Sequence, residues 1–357
     1  MTIRDEIIQR CQREGTPLKD SGRAIFIWIG DSAPRLMGDF SGWEEGQSVD
    51  LEPIGEGLWA FTLELPDDAY MEYIFIGEDG ERLLDPFNRR KTPNGMGKTN
   101  QYFYMPQGKP TAWQKRHPGT PTGTLHHAEI ATHGFIAGGK RTVHFYQPPV
   151  EQPVPLMVVW DGGDYLRRAK LVTIIENLLA AGRIGPIALA MPENGGPART
   201  LEYACSEATL GFLLSSLLPE ARSRLHLIDP AEVPGAYGVL GASLGGLMAL
   251  YTGLRLPQLF GKVLAQSGAY RIDGYEFVTG FLVEHGPRPE EMRIWMDAGR
   301  YEDLLEASRE MHGKLTAKAY PVEYREYPAG HNYPAWRDDL PAGLEYLFGG
   351  AAAARED

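Results

Sequence analysis

A serine lies between two glycines in Gly241-Ala242-Ser243-Leu244-Gly245, directly after the apolar pair Val239-Leu240 and before a helical stretch over 244–255. That setting suits a nucleophile. A serine at a tight strand-to-helix turn sits in a strained backbone, and side chains two residues before and after it would collide, so glycine fits at 241 and 245. The helix starting behind the serine directs free N–H groups at the site. The N–H of Leu244 can therefore face a developing oxyanion. A serine hydroxyl needs a base to take its proton. Among the nine histidines, His331 is the candidate, in Tyr327-Pro328-Ala329-Gly330-His331-Asn332-Tyr333-Pro334-Ala335-Trp336-Arg337. It follows the last expected strand and precedes the last expected helix, at the carboxyl edge where catalytic loops of parallel sheets collect. The order serine, acid, histidine also fits. Asp297, Glu302 and Asp303 lie at or just after the end of one expected strand, and position alone leaves the acid open among them. A second oxyanion donor is expected after the strand Leu156–Trp160. There, Asp161-Gly162-Gly163-Asp164-Tyr165 lets the backbone approach a substrate, and the N–H of Gly163 is the candidate.

Such residues need a rigid sheet to hold them. After about residue 125 the expected strands are Leu125–Thr132, Thr142–Gln147, Leu156–Trp160, Ile187–Met191, Gly238–Leu240, Lys262–Gln266, Arg293–Asp297 and Val322–Tyr327. Several are apolar runs suited to burial on both faces. Helical stretches over 166–181, 206–221, 244–255, 276–284, 303–317 and 335–347 fall between and after them. Alternation of this kind indicates a mainly parallel, doubly wound sheet covered on both sides. His126, His127, His133 and His144 fall on or near the first strands without the carboxylates and spacing of a zinc motif, and are read as structural. No metal or organic cofactor is expected.

The first part of the chain has another rhythm. Arg23–Ile29, Arg35–Met37, Leu58–Leu65, Tyr70–Ile76 and Gln101–Met105 are short, rich in β-branched and aromatic residues, and separated by turn signals. They predict a small β-sandwich, with a short helix over 4–13 before it. Prolines and glycines between 107 and 124 mark a linker or an extended crossing segment. The expected division is a module over 1–106, a linker over 107–124 and a catalytic domain over 125–350, with Ala351–Asp357 as a frayed tail.

Composition is that of a globular chain: 357 residues, 43% hydrophobic and 23% charged. The net charge of −12 disfavours nucleic acid and anionic membranes as partners. Two cysteines, Cys11 and Cys205, stand far apart and suggest neither a disulfide framework nor a metal site. Met1-Thr2-Ile3-Arg4-Asp5-Glu6 lacks the apolar stretch of a signal peptide, and no window reaches the roughly 18 apolar residues of a membrane span. The expected location is the cytoplasm.

Several motifs together resemble the enterochelin esterase branch of the esterase D superfamily. They are Val159-Trp160-Asp161-Gly162-Gly163, Arg199-Thr200-Leu201-Glu202-Tyr203, the run from Gly211 to Glu220, Gly241–Gly246, and Gly330-His331-Asn332 with Trp336-Arg337. The resemblance implies an α/β-hydrolase fold and a serine esterase. It also implies that the acid follows a Gly-x-x-[Asp/Glu] signature, here Gly299-Arg300-Tyr301-Glu302, which selects Glu302. By the same resemblance Arg199, Trp336 and Arg337 border the acyl pocket. The N-terminal part resembles the immunoglobulin-like early-set modules of these esterases and of glycogen-binding domains, through Met37–Trp43, Gly57-Leu58-Trp59, Tyr73-Ile74-Phe75 and Asp85-Pro86-Phe87-Asn88. Ile74 and Arg82 stand where glycogen-binding modules carry a lysine and a tryptophan, so the module is expected to shape one wall of the substrate site. The implied substrate is a catecholate siderophore trilactone or its iron complex. The rivals are a carbohydrate esterase removing feruloyl or acetyl groups, and a noncatalytic carbohydrate-binding protein.

Overall fold

The computed structural model describes residues 2–350 apart from Met96, Asp273 and Glu291, so the tail expected to fray lies outside the described residues. The chain divides into two units. The first comprises Met1–Pro110 together with Gly299–Asp303 and Glu326–Ala335; the second comprises Thr111–Ala298, Leu304–Arg325 and Trp336–Asp357.

The first unit opens with the helix Ile3–Glu14, started by Thr2, whose hydroxyl accepts from the N–H of Asp5 while the Asp5 carboxylate accepts from the N–H of Thr2. Two antiparallel sheets follow. One runs Leu18–Asp20, Arg23–Ile29, Leu58–Glu64, Glu52–Gly55; the other runs Arg35–Gly38, Tyr70–Ile76, Thr99–Tyr104, Lys91–Pro93, with Arg82–Leu83 added to Tyr70–Ile76. The strand Tyr70–Ile76 is buried along its whole length, and its alternation assigns the two faces. Met71, Tyr73 and Phe75 join Phe26, Leu36 and Phe103 in the core, while Ile74 and Ile76 join Met37 and the partly buried Trp43. Phe26 meets Tyr73 edge-on at 4.9 Å, which suits aromatic quadrupoles. The Tyr73 hydroxyl donates to Asp85 at 2.8 Å, and Thr16 donates to the same carboxylate oxygen at 2.7 Å. This buried polar layer is thus hydrogen-bonded, as burial demands.

The second unit is built on an eight-stranded sheet ordered Thr124–Ala131, Lys140–Gln147, Ala188–Pro192, Leu156–Val159, Tyr237–Ala242, Phe260–Gln266, Arg293–Tyr301, Val322–Gly330. The first two strands are antiparallel to their neighbours; Ala188–Pro192 through Arg293–Tyr301 pair in parallel. The parallel strands Leu156–Val159, Ala188–Pro192 and Tyr237–Ala242 are buried at every position, as two-sided cover requires. An α/β-hydrolase sheet and an all-β N-terminal module are therefore both present. The Pro- and Gly-rich segment after Thr111 is pinned down. Asn177, on the helix Leu171–Ala180, donates to the carbonyls of Trp113 and Lys115 at 2.7 Å each, and its amide oxygen accepts from His117 N–H and the Thr120 hydroxyl. Every donor and acceptor of that buried carboxamide is engaged. Among the described residues no helix is long and apolar enough to cross a membrane.

Candidate active site

Ser243 occupies the turn between the buried strand Tyr237–Ala242 and the helix Leu244–Arg255, with φ 59° and ψ −125°. A non-glycine residue with positive φ is strained, and the surroundings hold this one in place. Its N–H donates to the Gln266 carbonyl at 2.9 Å, and its carbonyl accepts from Leu247 and Ala269 N–H at 3.0 Å each. A Cβ at Gly241 would overlap the Gly245 carbonyl, and one at Gly246 would stand 2.9 Å from the Gln266 carbonyl oxygen. Close backbone approach, rather than a left-handed φ, is what requires glycine at these two places. Leu244, the first helical residue, is buried, and in an α-helix its N–H has no partner within the helix.

The loop after Leu156–Val159 packs against this elbow. Asp161 has φ 56° and precedes the short helix Gly162–Arg167. Its carboxylate is held by the Arg199 guanidinium at 2.7 Å (Nε) and 2.6 Å (Nη2), and by the Asn194 amide at 2.9 Å. Its N–H donates to the Tyr203 hydroxyl at 3.1 Å. A Cβ at Gly245 would lie 3.0 Å from Asp161 Oδ2, so the two loops touch. At Gly163 a Cβ would overlap the Glu193 carboxylate, itself paired with Arg167 at 3.0 Å and His144 at 2.9 Å. Leu244 and Gly163 thus lie in the first turns of two helices whose N-terminal ends touch through Gly245 and Asp161. His144 has a carboxylate partner there.

In the first unit, His331 follows the end of Val322–Gly330, and its Nδ1 lies 3.0 Å from Glu302 Oε2. The Glu302 side chain is fully buried and that of His331 is 34% exposed, so the acid is enclosed while the imidazole stays accessible. Asn332 follows, and its side-chain oxygen accepts from Ala335 N–H at 3.0 Å, capping the helix Tyr333–Phe348. The other two acids sit elsewhere. Asp297 is buried and accepts from Gln266 Nε2 at 2.9 Å and Trp295 Nε1 at 3.1 Å. Asp303 is exposed, near Gly42.

The three residues expected at the acyl pocket all have partners. Arg199 grips Asp161 and stacks over Tyr203 at 5.4 Å. Trp336 is buried and donates from Nε1 to Ser267 Oγ at 2.9 Å. Arg337 pairs with Asp338 at 2.8 Å. Asp161 and Asn332 stand inside motifs quoted from the sequence, without a role of their own there. The asparagine directly before the last helix was a readable capping signal; the aspartate in a glycine-rich turn carried none.

A family model described as a putative esterase matches residues 136–347. The chain belongs to this esterase family. The esterase is a carboxylic ester hydrolase, which sets aside the noncatalytic rival. It is 28% identical to the iron(III) enterobactin esterase of Dickeya dadantii (strain 3937) over 98% of this chain and 94% of that relative. It is also 28% identical to the iron(III) enterobactin esterase of Escherichia coli (strain K12), over 89% of this chain and 83% of the relative. The fold matches the enterochelin esterase of Shigella flexneri with a TM-score of 0.73 at 21% identity, covering 92% of this chain and 94% of that one. A Shigella flexneri enterobactin esterase structure obtained in the presence of enterobactin gives 0.72 at 21% identity, covering 91% and 92%.

Proposed function

We propose that this esterase hydrolyses the ester bonds of a catecholate siderophore trilactone, free or iron-bound, through a Ser243–His331–Glu302 triad. Ser243 Oγ attacks the ester carbonyl as His331 Nε2 takes its proton. The N–H groups of Leu244 and Gly163 hold the resulting oxyanion. The C–O bond to the alcohol breaks, and the proton on His331 passes to the departing oxygen. Water, deprotonated by the same imidazole, then frees the acid from Ser243. Glu302 holds the imidazole in the tautomer that leaves Nε2 as acceptor.

The positive φ of Ser243 at a strand-to-helix elbow supports the nucleophile, and the buried carboxylate 3.0 Å from His331 Nδ1 supports the base and acid. The substrate rests on one observation. The Dickeya relative, named for iron(III) enterobactin, aligns over 98% of this chain, while the putative esterase match begins only at residue 136. The N-terminal module is therefore shared with that relative along with the hydrolase. Both cysteines are free, as in proteins of reducing compartments, and we place the reaction in the cytoplasm. In this reading Arg199, Trp336 and Arg337 border the acyl pocket.

The test is a hydrolysis screen of the full chain on enterobactin, ferric enterobactin, methyl ferulate and acetylated xylan. Opening of the trilactone with kcat/KM well above that for methyl ferulate is expected. A preference for ferulate or xylan would transfer the enzyme to the carbohydrate esterases.

A further inference from the structure

The proposed chemistry uses nothing from the turn Gly38-Asp39-Phe40-Ser41-Gly42-Trp43, yet this turn encloses a carboxyl group at high cost. Asp39 is 3% exposed. Its Oδ1 accepts from Trp43 Nε1 at 2.8 Å, and its Oδ2 accepts from Glu72 N–H at 2.8 Å. Burial pushes its pKa well up, with nearby Glu72 and Glu302 adding to that. A turn of this size can be closed by a serine or an asparagine without a buried acid. Three contacts indicate what the acid does. At Gly330 a Cβ would overlap Asp39 Cγ, so the backbone just before His331 lies flat on the carboxyl group. Just after His331, the Asn332 amide nitrogen reaches Asp39 Oδ2 at 3.4 Å, a long hydrogen bond. At Gly42, in the same turn, a Cβ would stand 3.1 Å from Asp303 Oδ1, on the residue that follows Glu302. Asp39 therefore seats both chain neighbours of His331, and its own turn abuts the loop that carries Glu302.

We infer that Asp39 is a positioning residue for the His331–Glu302 pair, so that the N-terminal module supplies part of the catalytic apparatus. The inference rests on the reading of His331 as base and Glu302 as its acid. A carboxyl that only stabilises the module would leave the imidazole where it is. A seat for the imidazole sets the angle at which Nε2 meets its proton, and displacement by about 1 Å is enough to cost about 100-fold in rate.

Full-length Asp39→Ala and Asn332→Ser are assayed on p-nitrophenyl acetate, with active serines counted by a fluorophosphonate probe so that unfolded molecules drop out. Asn332→Ser retains a helix-capping oxygen and loses only the amide that reaches Asp39, so it carries the test alone if Asp39→Ala does not fold. Asp85→Asn alters another buried acid of the module, one that bonds Thr16 and Tyr73 rather than the histidine loop. The expected result is a fall in kcat per counted serine of about 10- to 100-fold for Asp39→Ala and a smaller fall for Asn332→Ser, with KM within about twofold. Asp85→Asn should lower the melting temperature and leave kcat per serine near wild type. Wild-type kcat per serine in whichever of the Asp39 and Asn332 variants fold overturns the inference, whatever their melting temperatures. His331→Ala, run alongside, separates the two claims: if it loses several powers of ten while those variants lose nothing, only the seat is wrong; if it keeps turnover, the histidine reading falls as well.

Discussion

In the proposed mechanism Ser243, His331 and Glu302 divide the work of one proton transfer, and their substitutions should differ in kind. Ser243→Ala removes the attacking atom and should lower kcat on p-nitrophenyl butyrate by several powers of ten in a folded protein. Glu302→Gln should cost more turnover than Asp297→Asn or Asp303→Asn, since Glu302 Oε2 lies 3.0 Å from His331 Nδ1. A ranking led by Asp297→Asn, at matched stability, would reassign the acid. Arg199 invites another test. Its guanidinium satisfies the buried Asp161 carboxylate, so Arg199→Ala strands that charge and should destabilise the protein by about 3 kcal/mol, with lower kcat as the Gly162-Gly163 loop loosens. Arg199→Lys should restore only part of this, because an ammonium cannot grip both oxygens. Denaturant unfolding and steady-state kinetics decide it; a variant of wild-type stability with raised KM alone would make Arg199 a substrate contact instead. The candidate serine and histidine stand out in the sequence because each sits in a short motif with its own backbone logic. The acid could not be chosen from position alone, since three carboxylates follow one strand and their reach depends on where that strand ends in space.

At the scale of the element, the strand Arg293–Tyr301 and the helix Tyr333–Phe348 bring Asp297 and Asp339 together. Burial first, then the neighbouring Asp339, raises the Asp297 pKa; burial raises that of Asp339, against the pull of Arg325 at 2.9 Å. The folded chain keeps these protons at pH values where the unfolded chain has released them. Their contribution to stability is complete below the ordinary carboxylate range of about 4 and is lost as pH rises through the raised folded-state values. Asp297→Asn mimics the protonated acid and keeps an oxygen for Gln266 and Trp295. It should match wild type near pH 4 and be the more stable of the two at pH 8, measured by urea unfolding at both pH values. An equal effect at the two pH values would show that the pair does not titrate. The buried strands at the centre of the sheet were legible to within two residues at each end: Lys262–Gln266 was expected, and Phe260–Gln266 is found. Glu52–Gly55 was not foreseen, for it is an exposed edge strand containing Pro53 and shows no alternation. Arg199–Tyr203 and Gly162–Arg167 are too short for helical periodicity to register. The expected helix over 206–221 is interrupted by a π-helical turn at Leu213–Leu217, which no composition signal marks.

For the whole molecule, the grouping of Gly299–Asp303 and Glu326–Ala335 with the N-terminal residues bears on what the module is for. A substrate wall alone would leave a truncated chain active on small esters. A chain starting at Thr111 lacks Asp39 and the core beside it, and should lose turnover on p-nitrophenyl acetate as well as on a trilactone. Truncated protein that is folded by circular dichroism and retains small-ester activity would return the module to a binding role. Sequence patterns expose runs of neighbouring residues, so the sandwich and the parallel sheet were both visible in them. They are blind to a partnership such as Asp39 with Asn332, separated by 293 positions.

That separation has a consequence for how the enzyme comes into being. Ribosomes release the N-terminal residues first, and domains generally fold in that order. The sandwich can pair its own strands early, but Asp39 must wait buried or half-buried for a segment made nearly 300 residues later, a closure that topology makes slow. Nascent chains stalled at increasing lengths should therefore acquire native-like β structure long before they cleave any ester. Hydrolysis would switch on only after residue 335 has cleared the exit tunnel, so catalytic competence would come well after the sandwich has paired its own strands.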